Sequence, residues 1–239
     1  MMLFAFNLSL SLFSSIIIIM SKDFILFDLD GTLTDPSEGI TNSLIYALKT
    51  YGIEVKDRTT LYQYIGPPLL ETFHKGFGFT VEESVNAMKK YREYFSVKGL
   101  YENRVYDGIP ELLHTLQSSG KTLLVATSKP EEYSVRILRH FSLDRYFTCI
   151  CGSTMDEKHA EKSYIINDAL ERGLVFDKTQ AVMVGDREHD INGAKTCGIT
   201  SCGVLYGFGS RKELENAGAD FIAEDISTLQ SILMIDAQA

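Results

Sequence analysis

The 239-residue sequence has no excess of basic residues: 23 Lys and Arg stand against 32 Asp and Glu, a net charge of −9. That balance excludes the broad basic face of a dedicated nucleic-acid binder, so no nucleic-acid partner is expected. It does not exclude an anionic substrate, because a local lysine pair and a metal reverse the field at a site. Cysteine is scarce, and Cys149, Cys151, Cys197 and Cys202 include no C-x-x-C spacing, which argues against zinc. They fall in apparent strands or at a helix end and read as buried free thiols in a reducing, cytoplasmic setting. Internal repeats are absent.

Charge is missing altogether from residues 1–20, which end in Ile16-Ile17-Ile18-Ile19. The length matches a membrane span or a signal h-region. Yet no Lys or Arg precedes the apolar run, no small-x-small cleavage site follows it, and a strand begins at about Phe24. Residues 1–20 are therefore expected to be a dispensable extension outside the fold. An uncleaved anchor is the alternative, and the one route to a membrane partner.

What is present is ordinary for a globular enzyme: 45% hydrophobic and 23% charged residues, enough for one large domain with an insertion. The chain is organised around Phe24-Ile-Leu-Phe-Asp28-Leu-Asp30-Gly31-Thr32-Leu-Thr34-Asp35. Phe24 to Phe27 has the length and residue types of a buried strand. It ends in two carboxylates two residues apart, then Gly31, which permits a sharp turn. Parallel α/β sheets carry their chemistry beyond the carboxyl ends of their strands, so two anions there suit a hard cation such as Mg²⁺. Two acids capping a turn are the plainer reading of D-x-D alone.

Residues 36 to about 100 read as helices without strands. Ile40, Leu44, Leu48 and Tyr51 recur at helical spacing after Pro36, with Thr34 or Asp35 as cap and Gly52 as stop. Thr59 to Ile65 is a short segment broken at Gly66-Pro67-Pro68. Leu69 to Lys75 makes another turn or two, and Thr80-Val-Glu-Glu83 reads as a capping box. From Gly108 the pattern alternates. Strands are expected at Thr122–Thr127, Phe147–Cys151, Ala181–Val184 and about Thr200–Leu205. Helices are expected at Pro110–Ser119, Pro130–His140, Lys162–Arg172 and about Asp190–Thr196, and short elements near Arg211–Asn216, Asp220–Ala223 and Ile226–Leu233 close the chain. Alternation predicts an α/β fold: a Rossmann-like parallel sheet core with helices on both faces and an inserted all-helical cap domain. The expected division is 21–35 and 101–239 for the core and 36–100 for the cap, with Thr34–Asp35 and Arg104–Asp107 as hinges.

Three further stretches carry chemistry. Thr127 ends a strand and Ser128-Lys129-Pro130 follow before a helix, where a hydroxyl and free helix N–H groups can hold a phosphate or simply cap the helix. Lys162 opens a helix just before Tyr164-Ile165-Ile166, with Lys158 as a nearby rival. Val184-Gly185-Asp186-Arg187-Glu188-His189-Asp190 again ends an apolar strand in acids, now four residues apart. Gly66-Pro67-Pro68, rigid and not helical, is either a loop facing the site or a plain linker.

These stretches, in this order, resemble the four motifs of the haloacid dehalogenase-like hydrolase superfamily: D-L-D-G-T-L-T-D, the strand-closing Thr127, Lys162, and G-D-x-x-x-D. The run from Gly203 to Asp220 is similar to the C-terminal region of phosphoglycolate phosphatase-like members. The resemblance implies a Mg²⁺-dependent phosphomonoesterase acting on a small phosphorylated metabolite, phosphoglycolate or a nucleoside 5′-monophosphate. It implies Asp28 as nucleophile, Asp30 as acid and base, and Thr127 and Lys162 as catalytic groups. Asp28, Asp30 (through its carbonyl) and Asp186 are the implied metal ligands, with Asp190 binding the metal or orienting Lys162. Gly31, Thr32, Ser128, Lys129, Gly66 and Pro67 are the implied substrate contacts. Haloacid dehalogenases lack the second acid, so Asp30 favours phosphate chemistry. A phosphomutase or a non-catalytic phosphate-binding protein is the alternative, and oligomeric state stays open.

Overall fold

The computed structural model describes residues 22–156 and 159–234; residues 1–20 and Lys158 lie outside the described residues. The elements are β1 (Phe24–Phe27), β2 (Thr34–Asp35), α1 (Ser37–Lys49), α2 (Leu69–Glu71), α3 (Val81–Tyr94), β3 (Arg104–Val105), α4 (Ile109–Ser118), β4 (Thr122–Pro130), α5 (Glu131–His140), β5 (Cys149–Ser153), α6 (Lys162–Arg172), β6 (Ala181–Gly185), α7 (Glu188–Cys197), β7 (Thr200–Val204), α8 (Arg211–Ala217), β8 (Phe221–Ala223) and α9 (Ile226–Leu233). A 3₁₀ turn spans Arg58–Tyr64, and π-type turns extend α2 over Thr72–Gly76 and α3 over Phe95–Gly99.

Six strands form one parallel sheet in the order β5-β4-β1-β6-β7-β8. Its chain order explains the apolar run in β1. Ile25 and Phe27 pack into one apolar cluster with residues of α4, α5 and α9, while Leu26 packs into another with α6 and α7. A strand covered on both faces has no solvent side, so its residues need not alternate with polar ones. The chain builds outward from β1 through β4 to β5, then crosses back to β6. β1 is thus where strand order reverses, and the crevice beyond its carboxyl end is the place such sheets offer a ligand.

Between β2 and β3 the described residues are helical or irregular, with no strand. The capping box of α3 is formed: the Thr80 hydroxyl accepts from Glu83 N–H at 3.2 Å and the Glu83 carboxylate accepts from Thr80 N–H at 2.9 Å. Leu44, Leu48, Phe73, Ala87, Met88, Tyr91 and Phe95 make the interior of this helical segment and are continuous with the cluster on one face of the sheet. The segment leaves and returns through an unexpected antiparallel pair, Thr34 opposite Val105 and Asp35 opposite Arg104. Asp35 ties this crossing: it accepts from Ser37 N–H at 3.0 Å and from Arg104 at 3.0 and 2.7 Å.

Two expected boundaries are corrected. β4 runs to Pro130 rather than stopping at Thr127, because Ser128 to Pro130 stay extended beside β5 through an irregular register. Helix α5 therefore starts three residues after Ser128, and neither Thr127 nor Ser128 caps it. β5 begins at Cys149, not Phe147, since a 3₁₀ turn at Asp144–Tyr146 takes the Phe147 N–H at 3.2 Å. Among the described residues, no helix is long and apolar enough to cross a membrane.

Candidate active site

The adjacent carboxyl ends of β1 and β6 each project a pair of acids into one crevice. Asp28 continues β1 and stays tied to β6, its N–H donating to Val184 C=O at 2.9 Å. The chain then turns back at once, Gly31 N–H bonding Thr34 C=O at 2.8 Å. Gly31 takes φ +83°, and a Cβ on it would collide with the Asp186 carboxylate. The turn thus needs glycine for two separate reasons, its left-handed backbone and the close approach of an acid.

Asp186 follows β6 and Asp190 lies in the first turn of α7, where its carboxylate accepts from Arg187 N–H at 3.1 Å. Phe208, in the loop after β7, donates its N–H to Asp186 Oδ2 at 2.7 Å. Gly207 lies so close that a Cβ there would strike both Gly31 C=O and the Asp186 side chain. The glycine-rich stretch after β7 is therefore a wall of the acid site.

Two lysines neutralise part of this charge. Lys162, the first residue of α6, buries its side chain and places Nζ 2.8 Å from Asp28 Oδ1, 2.7 Å from Asp190 Oδ1 and 3.1 Å from Ala126 C=O. Burial works against its charge, but Asp190 and Asp28 outweigh that and hold the ammonium above the ordinary lysine range. Lys129 reaches across from β4 to pair with Asp30 Oδ2, and its ammonium also lies 4.9 Å from the centre of the Phe95 ring. Thr127 is buried at the same strand end, its hydroxyl accepting from Lys129 N–H at 3.3 Å.

Asp28, Asp186 and Asp190 each bring one carboxylate oxygen within 4.8 Å of the others. The Asp30 side chain is not in that group. Asp186 Oδ1 is buried without a hydrogen-bond partner, a costly state for a carboxylate unless a cation completes it. Burial, then repulsion from Asp190 and Asp28, pushes the Asp186 carboxyl well up from its usual range. Burial raises Asp190 too, against the pull of Lys162, and raises Asp30 against the pull of Lys129. An all-oxygen set with excess negative charge and an unsatisfied oxygen fits a hard divalent cation.

The crevice holds a cavity of about 90 Å³. Asp28, Asp30, Thr127, Ser128, Lys129, Lys162 and Asp190 line its floor, and Gly66, Pro67, Leu69, Tyr91, Arg92 and Phe95 of the helical segment line its roof. Most of the residues expected at the site converge here. Gly31 and Thr32 sit behind the floor, and the Thr32 carbonyl accepts from the Tyr206 hydroxyl at 3.1 Å. Gly66, Pro67 and Pro68 line the same cavity as Asp28 and Asp30.

Sequence reasoning missed Arg187, Glu213 and Phe208. Arg187 stood as a variable position between two acids, yet it donates to Ile65 C=O of the helical segment at 2.7 Å and to Glu213 at 2.8 Å. The signal available was a lone cation inside an acidic motif.

A family model described as "Haloacid dehalogenase-like hydrolase" matches residues 25–204. Among curated proteins, a "5′-nucleotidase" of Pseudomonas aeruginosa is 47% identical over 210 residues, 87% of this chain and 94% of that protein. "Tyrosine-protein kinase PtkA" of Mycobacterium tuberculosis is 38% identical over 210 residues, 87% of this chain and 68% of that one. Among solved structures, a predicted phosphatase from Clostridium acetobutylicum superposes with TM-score 0.85 at 46% identity, covering 88% of this chain and 97% of that one.

Proposed function

This chain belongs to the haloacid dehalogenase-like hydrolase family, and from that premise we propose that it is a Mg²⁺-dependent phosphatase of small phosphomonoesters, with nucleoside 5′-monophosphates as the first class to test. The observation that carries the reading is the floor of the cavity. Two acids, Asp28 and Asp30, open into it beside one buried lysine and a buried carboxylate oxygen that lacks a partner.

Asp28 is the nucleophile: its carboxylate attacks phosphorus, the ester oxygen leaves, and an aspartyl-phosphate forms. Asp30 gives its proton to the departing oxygen and then takes one from the water that splits the aspartyl-phosphate. Its raised carboxyl keeps a proton available at higher pH than an ordinary aspartate would. Lys162 and Thr127 offset charge on the phosphoryl oxygens, while Lys129 holds and orients Asp30. Asp28, Asp186 and Asp190 or the Asp30 carbonyl would hold Mg²⁺, which when bound neutralises phosphoryl oxygens. The helical segment from 36 to 100 serves as a cap over the leaving group.

A second reading comes from the relative named a tyrosine-protein kinase: the phosphoryl group passes to a tyrosine hydroxyl instead of water. One experiment separates the readings. The folded protein is assayed with p-nitrophenyl phosphate with and without Mg²⁺, then with a panel of nucleoside 5′-monophosphates, phosphoglycolate and pyrophosphate, and with ATP plus a tyrosine peptide. Mg²⁺-dependent phosphate release supports the phosphatase. Label on the peptide with no phosphate release from any ester replaces it with the kinase.

A further inference from the structure

The geometry points to Arg187 as a positioning residue that latches the helical segment shut over the acid site. Its side chain is mostly buried and reaches in two directions at once. Nη1 donates to the carbonyl of Ile65 at 2.7 Å, and Nε donates to Glu213 Oε1 at 2.8 Å. Glu213 is itself fixed, because the same oxygen accepts Glu188 N–H at 3.0 Å at the start of α7 and its own N–H is held by Ser210 at 3.1 Å. Burial opposes the charge of Glu213, but those donors outweigh it and leave the carboxyl below its usual range.

The position of the latch gives it consequences. Ile65 is immediately followed by Gly66 and Pro67, two residues that roof the cavity. Gly66 lies against the Arg187 side chain, at 3.5 Å for a Cβ built on it. At the other end, the Arg187 backbone N–H donates to Asp190, which pairs with Lys162, which pairs with Asp28. One residue therefore touches the roof with its side chain and the acid cluster with its backbone. A neighbouring contact runs alongside it. Phe208 holds Asp186 through its N–H and meets the ring of Tyr62, in the 3₁₀ turn just before Ile65, edge-on at 6.2 Å. Closure of the helical segment and alignment of the acids are thereby read by the same few groups, and a roof that lifts must first release Arg187 from Ile65.

A guanidinium is the side chain this role requires. Its planar fork serves a carboxylate and a carbonyl in fixed directions, whereas a lysine ammonium reaches only one of them with good geometry. The carbonyl at Ile65 supplies nothing that depends on side-chain identity, so the latch sets cap position rather than substrate preference.

The test is hydrogen exchange on the full-length protein, followed by mass spectrometry of peptides covering residues 58–71, for wild type, Arg187→Ala, Arg187→Lys and Glu213→Ala. Arg187→Ala should speed exchange there about tenfold, the population shift expected from losing hydrogen bonds to a charged group. Exchange in β1, β4 and β6 should stay at wild-type rates. Arg187→Lys should behave like the alanine variant, and the double variant Arg187→Ala/Glu213→Ala should add nothing beyond Arg187→Ala. Unchanged exchange at 58–71, full rescue by lysine, or additive effects would each overturn the latch. The kinetic arm rests on the phosphatase reading: KM rises about tenfold while kcat moves less than threefold, because less of the protein is in the closed state. The exchange arm stands without that reading, so failure of either is told apart from failure of the other.

Discussion

The two acid-bearing strand ends are built alike in sequence and differently in space. β1 ends in Asp28 and Asp30, which keep 7% and 9% of their surface exposed; β6 leads to Asp186 and Asp190, which keep 1% each. The first pair opens into the cavity and takes a separate lysine for each acid. Of the second pair, Asp190 also lines the cavity floor and shares Lys162 with Asp28, while Asp186 is walled in by the Phe208 N–H and the Gly207 backbone. Similar residues thus do different work. In the proposed reaction the β1 acids meet the substrate, and Asp186 holds a fixed charge beneath it. The difference comes from what surrounds each pair, since neighbouring charges and hydrogen-bond donors tune a buried carboxylate.

Breaking the open side should cost the most activity. Asp28→Asn removes the proposed nucleophile, and kcat should fall roughly 10⁶-fold, as when a covalent nucleophile is removed elsewhere. Quenched reactions should also yield no acid-stable phosphoprotein. Near-wild-type turnover would take the nucleophile role from Asp28.

Asp30→Asn should cost less, about 10²–10⁴-fold for a lost general acid and base. It carries a sharper signature. With p-nitrophenyl phosphate, whose leaving group needs no proton, the first step survives and phosphorylated Asp28 should accumulate. Rapid-quench measurement of phosphoprotein decides this, and equal losses in both steps would break the assignment.

On the closed side, Asp186→Asn should weaken Mg²⁺ binding more than tenfold, by removing one buried ligand. It should also stabilise the metal-free protein by about 1–2 kcal/mol, because a buried charge beside Asp190 and Asp28 is gone. For a chain of this size that raises Tm by about 2–8 °C. A lower Tm without metal would mean that Asp186 is not the strained member.

The smallest effect is a pH dependence. Burial raises the carboxyls of Asp186, Asp190 and Asp30 above their unfolded values. Groups shifted this way add stability below the ordinary carboxylate range and lose it as pH rises through their raised values. The metal-free protein should therefore be penalised at pH 8 relative to pH 5. Mg²⁺ should increase Tm more at pH 8 than at pH 5, since protons compete for the same oxygens at low pH. Thermal melts with and without Mg²⁺ at both pH values measure it.

How much of this was written in the chain differs from residue to residue. The apolar run of β1, the capping box at Thr80 and Glu83, and the start of α6 at Lys162 follow from local chemistry, and the structure has them where periodicity and caps put them. Ser128 to Pro130 went the other way. A Ser and a Pro before a helix look like its cap, but pairing with β5 keeps them extended, a tertiary preference that overrides a local one. The β2–β3 pair was also invisible, because a two-residue strand has no period to detect.

The four acids, the lysine that follows β5 and the order of the motifs were determined by the sequence itself, since a strand that ends abruptly in carboxylates is a local statement. Which acid stays open and which is sealed was decided by tertiary structure alone. Phe208 meets Asp186 from 22 residues away, Lys129 meets Asp30 from 99, and Arg187 meets Ile65 from 122. No pattern in a single stretch of chain encodes contacts at those separations, because they form only when parallel strands carry distant loops to one end of the sheet.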